Sequence, residues 1–258
     1  KDSILLLQKA LYSLIAQIGC VVQPIIAVNN LSERKLTKLY NSLKNIPWDY
    51  DCYPKIKIYN SIENKDLRSL MLNETIQEIN TKFLTFLDFD DIVFHDAYQW
   101  LIHRLQQTGK KATFGLVYNL IFNIDDHKMK RRIVHPYNMG YYGFLNDNNT
   151  PIHGFMLNME AINLRDIKYF EDMKYMEDYY LTLQIFDHDN TDWPAQKQEK
   201  FIADYVHYED KQQTLGLIDP NERKELLTLL EYRECQRRID DIRNPLLTTN
   251  RAPKENNR

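Results

Sequence analysis

The chain reads as an α/β domain organised on a mostly parallel sheet, and two observations lead there. Helical apolar stripes and short β-branched runs alternate helix, strand, helix, strand, helix, strand over residues 4–87. A parallel sheet with crossover helices leaves that pattern in a sequence. Second, residues 81–96 (TKFLTFLDFDDIVFHD) carry an unbroken apolar run straight into Asp88, Asp90 and Asp91. Such a run predicts a strand buried on both faces. In open α/β sheets ligands bind outside the carboxyl ends of strands, where these acids fall.

Taken in order, residues 4–18 place Leu5, Leu6, Ala10, Leu11, Leu14, Ile15 and Ile18 at helical spacing. Residues 20–28 (CVVQPIIAV) predict a buried strand that Pro24 makes irregular. Asn29, Asn30 and Ser32 suit a turn and the cap of a helix over 33–43. A strand over 55–59 and a helix over 67–79 precede the central strand. A fold of this kind ordinarily opens on a strand, so the first strand is expected upstream of Lys1. After the acids, residues 97–107 predict a helix ended near Gly109, and 113–124 (TFGLVYNLIFNI) a strand. The charged stretch 125–132 reads as a solvated loop in preference to a hairpin. Residues 137–150 read as loop, 154–159 as a strand, 160–165 as a turn or short helix, and 176–186 as a helix opened by acids. Residues 201–207 predict a late strand ending in His207. Residues 220–242 form an amphipathic helix, and the tail from Asn244 onward is expected to be disordered.

Composition narrows the classes. The 258 residues carry a net charge of −3, which gives no reason to expect nucleic acid. No apolar run is long enough to span a bilayer. Cys20, Cys52 and Cys235 are odd in number and lack metal-ligand spacing, so they predict reduced thiols in a cytoplasmic setting. With only 7 glycines and no Gly-rich phosphate loop, P-loop and dinucleotide-binding readings are disfavoured.

The acids carry the chemistry. Clustered carboxylates raise one another's pKa and cost desolvation energy, and a bound divalent cation reverses both penalties. The sequence therefore predicts metal-assisted handling of a phosphate-bearing substrate. The competing reading is that the acids open a surface loop and cap the helix beginning near Asp96.

Residues 73–91 (NETIQEINTKFLTFLDFDD), with LLLQKALYSLIAQ at 5–17, NNLS at 29–32, MEDYYL at 176–181 and YVHYEDKQQT at 205–214, resemble the family 2 glycosyltransferases of GT-A fold, in the right order along the chain. The resemblance covers residues 4–216. It implies a GT-A domain over 1–216, a C-terminal helix and tail over 217–258, and inverting transfer of a sugar from a nucleotide diphosphate donor. That donor is usually a UDP-sugar, and the acceptor a hydroxyl of a glycan or lipid-linked glycan. The resemblance implies Asp90 as main contact for Mn²⁺ or Mg²⁺, with His207 as a further ligand. It places Asp88 on the donor ribose or a metal-bound water and Asp91 as an orienting or second ligand. Asp178, beside Glu177, matches the catalytic base; Glu171 and Asp172 are the fallback. Arg68 or Lys65 would meet the donor phosphates, and Asn29 and Asn30 the base or ribose. His153 reads as structural. The family's first strand is not in this sequence, and Asn29 and Asn30 stand where it usually has acids.

Two rivals have different chemistry. LDFDDIVF also resembles the first motif of haloacid-dehalogenase-like phosphatases, with Asp88 as nucleophile and Asp90 as acid/base, though Ile92 stands where they usually carry a small hydroxyl residue. The other is a non-catalytic module of the same fold, with 220–242 docking a subunit or the inner face of a membrane.

Overall fold

The computed structural model describes residues 3–49, 52–61, 66–123, 128–135, 140–148, 150–163, 168–173, 175–193, 200–208 and 229–249. The chain opens on α1 (Ser3–Ile15), which buries Ile4, Leu6, Ala10, Leu11 and Leu14, as its apolar spacing demands. β1 (Ile25–Asn29) begins just after Pro24, so the proline precedes the strand instead of interrupting it. Ser32 caps α2 (Glu33–Lys44), its side chain accepting from the Lys35 N–H. β2 (Lys55–Tyr59) pairs in parallel with β1, in register from Ile25 with Lys55 to Asn29 with Tyr59. The unit β1–α2–β2 is the crossover that the alternating pattern predicts.

After α3 (Arg68–Ile76) the structure departs from one long central strand. Only β3 (Phe83–Leu84) forms a ladder there, and Ile92 and Val93 make a separate strand, β4 (Ile92–Val93). The reason lies at the strand's edges. On one side β3 pairs antiparallel with β8 (Phe155–Asn158). On the other lies an apolar cavity of about 600 Å³ between β1 and β3, roofed and floored by Leu11, Leu14, Leu72 and Ile76 of α1 and α3. Among the described strands β3 pairs only with β8, and residues 85–88 carry no ladder.

Gly109, in the left-handed region at φ 64, ends α4 (Ala97–Thr108) as expected. The strand expected over 113–124 is two strands, β5 (Ala112–Phe114) and β6 (Leu116–Phe122), in different sheets. The break falls at Gly115, where a Cβ would sit 2.4 Å from Ile202 Cγ2. Only glycine lets the chain pass there. β7 (Met129–Val134) pairs antiparallel with β6, so a hairpin replaces the expected loop. Within the stretch read as loop, residues 141–146 form α5 (Tyr141–Asn146). α6 (Glu177–Ile185) and β10 (Phe201–Tyr208) lie where expected, separated by the short β9 (Thr191–Asp192). α7 (Leu230–Thr249) runs through Asn244 and Pro245, so the tail is helical as far as Thr249; residues 220–228 of the expected helix lie outside the described residues.

The strands form sheets ordered β1–β2, β4–β10–β6–β7 and β3–β8–β5–β9. Pairing is mixed: β1–β2, β6–β10 and β5–β9 are parallel, and the other pairs antiparallel. One core cluster gathers Phe144, Phe155, Leu157 and Phe186, and Cys235 and Ile239 of α7 belong to it. The apolar face of α7 is therefore used inside this chain, while its outer face carries the ion pairs of Arg237 with Glu234 and Asp241. A second cluster packs Leu39, Leu43 and Leu101 against Ile202.

Candidate active site

The acidic stretch is a turn, pinned at its far end. The Asp91 N–H donates to the Asp88 carbonyl at 3.2 Å, which closes the turn through Phe89 and Asp90. Asp91 itself points inward, 1% exposed. Its Oδ1 accepts the Val206 N–H of β10 at 2.7 Å, and its Oδ2 lies 2.9 Å from His153 Nδ1. Asp88 is open to solvent on one side yet surrounded by protein on the others, at the mouth of the cavity between β1 and β3. That surrounding desolvates its carboxyl and pushes its pKa up; the charge of Asp91 adds to the rise, while His153 and Arg68 oppose it.

Facing this turn is the start of α6. Met176, held in the left-handed region at φ 58, swings the chain so that Glu177 and Asp178 open the helix. Carboxylates in a first helical turn sit favourably against the helix dipole. Glu177 is 7% exposed, and its Oε1 lies 2.7 Å from Nη1 of Arg68, the first residue of α3. Burial raises the Glu177 carboxyl to about 7, with Arg68 opposing and Asp178 reinforcing the shift. Asp178 Oδ1 accepts the Tyr179 N–H at 2.8 Å and the Asn148 Nδ2 at 3.3 Å. Its carboxyl is also raised, by burial first, with those hydrogen bonds and Arg68 opposing. Arg68 acts electrostatically on Asp88 as well, and Asp178 on Asp88. Asp88, Arg68, Glu177 and Asp178, drawn from segments far apart in sequence, thus act on one another, and Arg68 and Asp88 also line the cavity.

The remaining residues divide. Asn30, at φ 53, has its amide engaged: Nδ2 donates to Ser61 Oγ at 2.6 Å and Oδ1 accepts the Ser61 N–H at 2.8 Å. It clamps the ends of β1 and β2, and Asn29 ends β1 beside it. His207 is 4% exposed on β10, its ring 4.0 Å from that of Tyr205 and its Nε2 3.4 Å from Asn119 Oδ1. Among the described residues no three His, Cys, Asp or Glu side chains converge as a metal-binding group. Lys65 lies outside the described residues. Glu171, the fallback acid, is exposed and accepts from Asn73 Nδ2 at 3.3 Å.

Sequence reasoning missed Tyr169, Asn73 and Asn148. Asn73, on α3, donates to the Tyr169 carbonyl and accepts the Tyr169 N–H, at 2.8 and 2.7 Å. Tyr169 is thereby held 1% exposed among the site's charges, and its phenol pKa is pushed up by burial first and then by Asp178, Glu177 and Asp88. No spacing rule links positions 73 and 169; only the packing of α3 against the segment before α6 does.

A family model described as glycosyl transferase family 2 matches residues 4–167, more than half of the chain. The chain belongs to glycosyltransferase family 2. Its fold is the GT-A fold of solved glycosyltransferases. The crystal structure of S. aureus TarS 1–349 is 15% identical at a TM-score of 0.55, over 97% of this chain and 70% of that one. The mannosyltransferase PcManGT from Pyrobaculum calidifontis, in complex with GDP-Man and Mn²⁺, is 10% identical at 0.54, over 93% and 64%. GalNAc-T7 with UDP, GalNAc and Mn²⁺ is 12% identical at 0.52, over 91% and 51%. At such identities the likeness concerns fold. No curated protein matches the chain by sequence. Family membership removes the phosphatase reading, and no described helix of this glycosyltransferase is long and apolar enough to cross a membrane.

Proposed function

We propose that this chain is an inverting, metal-dependent glycosyltransferase that moves a sugar from a nucleotide diphosphate donor to a hydroxyl of a glycan or lipid-linked glycan. The observation that carries this reading is the meeting of the acidic turn with the acid-opened helix across Arg68. A donor lying between them has its diphosphate beside Asp88, Asp90 and Arg68, and its anomeric carbon toward Asp178. UDP as the donor nucleotide draws support from TarS, solved with UDP and with UDP-GlcNAc. GDP-Man in PcManGT keeps a guanosine donor in the test.

Asp178 takes the acceptor's proton as its oxygen attacks the anomeric carbon. Its raised pKa makes it a stronger base than an ordinary aspartate, and the Tyr179 N–H and Asn148 amide fix its direction. Glu177 holds Arg68 in the cleft, and Arg68 offsets charge on the departing diphosphate. The residues fit a hard divalent cation, Mn²⁺ or Mg²⁺, of the kind that binds through few protein oxygens with phosphate and water completing the shell. Asp90 would be its principal ligand and Asp88 a second, and a cation there would relieve the crowding that raises Asp88. Such a cation neutralises charge developing on the leaving diphosphate. His207, packed against Tyr205 and Asn119, stays outside this ligand set. We place the enzyme in the cytoplasm, at the inner face of a membrane where the acceptor is lipid-linked; the free thiols Cys20, Cys52 and Cys235 support a reducing compartment.

The test is a melting screen with UDP-sugars and GDP-mannose, with and without Mn²⁺, followed by transfer assays. A donor at about a hundred times its Kd stabilises by about 2.7 kcal/mol. Asp90→Ala loses the metal-dependent part of the shift. Asp178→Asn keeps the shift and loses transfer by about 10²-fold or more. Transfer at the parent rate in Asp178→Asn would remove it as the base; no metal-dependent shift with any donor would remove the whole reading.

A further inference from the structure

His153 is a histidine that the catalytic scheme leaves unused, and its surroundings are unusual. It sits on the short 3₁₀ turn Ile152–Gly154 leading into β8, 1% exposed, and it faces acids. Its Nδ1 lies 2.9 Å from Asp91 Oδ2, while neither ring nitrogen makes a hydrogen bond of good geometry among the described residues. Its charge also acts on Asp88, Asp90 and Asp204. Behind it stands the Tyr205 ring at 5.3 Å, and around that ring stand His135 at 5.9 Å and His207 at 4.0 Å. Asn119 Oδ1 receives both of those histidines, at 2.7 Å from His135 Nδ1 and 3.4 Å from His207 Nε2. Burial holds His135 down to about 4, and burial also lowers His207. The three rings are therefore not equivalent. His153 has a ring nitrogen 2.9 Å from the buried Asp91 carboxylate, which acts on His207 electrostatically.

Because one oxygen of Asp91 is held by β10 and the other faces His153, Asp91 cannot also reach into the cleft. We infer that His153 is a positioning residue for the sugar donor: with Val206 it clamps Asp91, and that clamp sets where Asp88 and Asp90 present their oxygens. The inference rests on the proposed function and deepens it. It gives Asp91 the role of hinge pin of the acidic turn in place of a second ligand. It also explains a buried polar ring that would otherwise cost stability for no return. A clamp on a buried carboxylate is worth more than a surface pair, because the unpaired partner is left in low dielectric.

The experiment compares His153→Asn with His153→Leu in the full chain. Asparagine places an amide near the former Nδ1 and can donate to Asp91; leucine fills the space and donates nothing. The expected result is a donor KM raised about tenfold in His153→Leu, as the close contact of the ring with the buried Asp91 carboxylate is lost. The acceptor KM should stay at the parent value, and His153→Asn should recover most of the loss. A second readout does not depend on turnover. Amide hydrogen exchange should accelerate at Asp91, whose N–H closes the turn, in His153→Leu but not in His153→Asn, while β5 and β8 keep parent protection. Parent exchange at that amide in the leucine variant overturns the positioning role, as does an equal KM rise in both variants. If the parent neither binds nor transfers any donor, the glycosyltransfer scheme fails instead, and the exchange result still reports on the clamp.

Discussion

Glu177 shows how much one side chain's surroundings can change its chemistry. Its carboxyl is raised from an ordinary 4.5 to about 7 because it is buried next to Asp178, and Arg68 only partly offsets that. The sign of the consequence follows from linkage. Between those two values the folded state holds a proton that the unfolded state has released, so stability falls as pH rises. The contribution is complete below about pH 4.5 and gone above about pH 7. Asp88 and Asp178 are raised too and add in the same direction. Thermal unfolding across pH 5 to 8 should therefore show that Glu177→Gln shifts the slope of Tm against pH upward relative to the parent, the lowered His135 and His207 contributing the opposite sign in both chains. An identical slope in the variant would mean that Glu177 ionises normally. His153, taken for a structural residue from its sequence context, differs from Glu177 in having no motif to announce it. A lone histidine acquires a role only from the acids folded around it.

At the scale of elements, Gly115 decides how two strands share one stretch of sequence. The apolar run 113–124 has strand character throughout, and nothing in its periodicity marks a boundary. At the break Ile202, on β10, occupies the space a side chain would need. Gly115→Ala should destabilise by about 1–3 kcal/mol through overpacking, a loss of several degrees in Tm for a chain of this size. A variant melting with the parent would show that Ile202 moves aside freely. The sequence reading weighs the hairpin through β7 and sets it below a solvated loop for a related reason. Its six residues are exposed throughout, so they carry no apolar face to signal a strand. Backbone pairing with β6 makes the strand, and backbone pairing leaves no trace in hydropathy.

Across the whole molecule, the C-terminal helix is where local and global readings part most. Sequence patterning set residues 217–258 apart from the transferase domain, yet Ile239 is fully buried in the cluster that also holds Phe144, Phe155 and Tyr179. Ile239→Ala should cost about 2–5 kcal/mol and lower the melting of the entire chain in one transition. Two transitions, with the main one unchanged, would show that α7 folds by itself. The alternation of helices and strands, the acids following residues 81–87 and the acid pair opening α6 were all legible without coordinates, because spacing and composition are local properties. The class of fold and the residue types of the site follow from them. Tertiary structure alone brought Arg68 to Glu177, turned Asp91 inward onto Val206 and His153, and split the central strand at an apolar cavity. Those outcomes depend on which surfaces meet across long sequence separations, and packing settles such meetings where no local pattern records them.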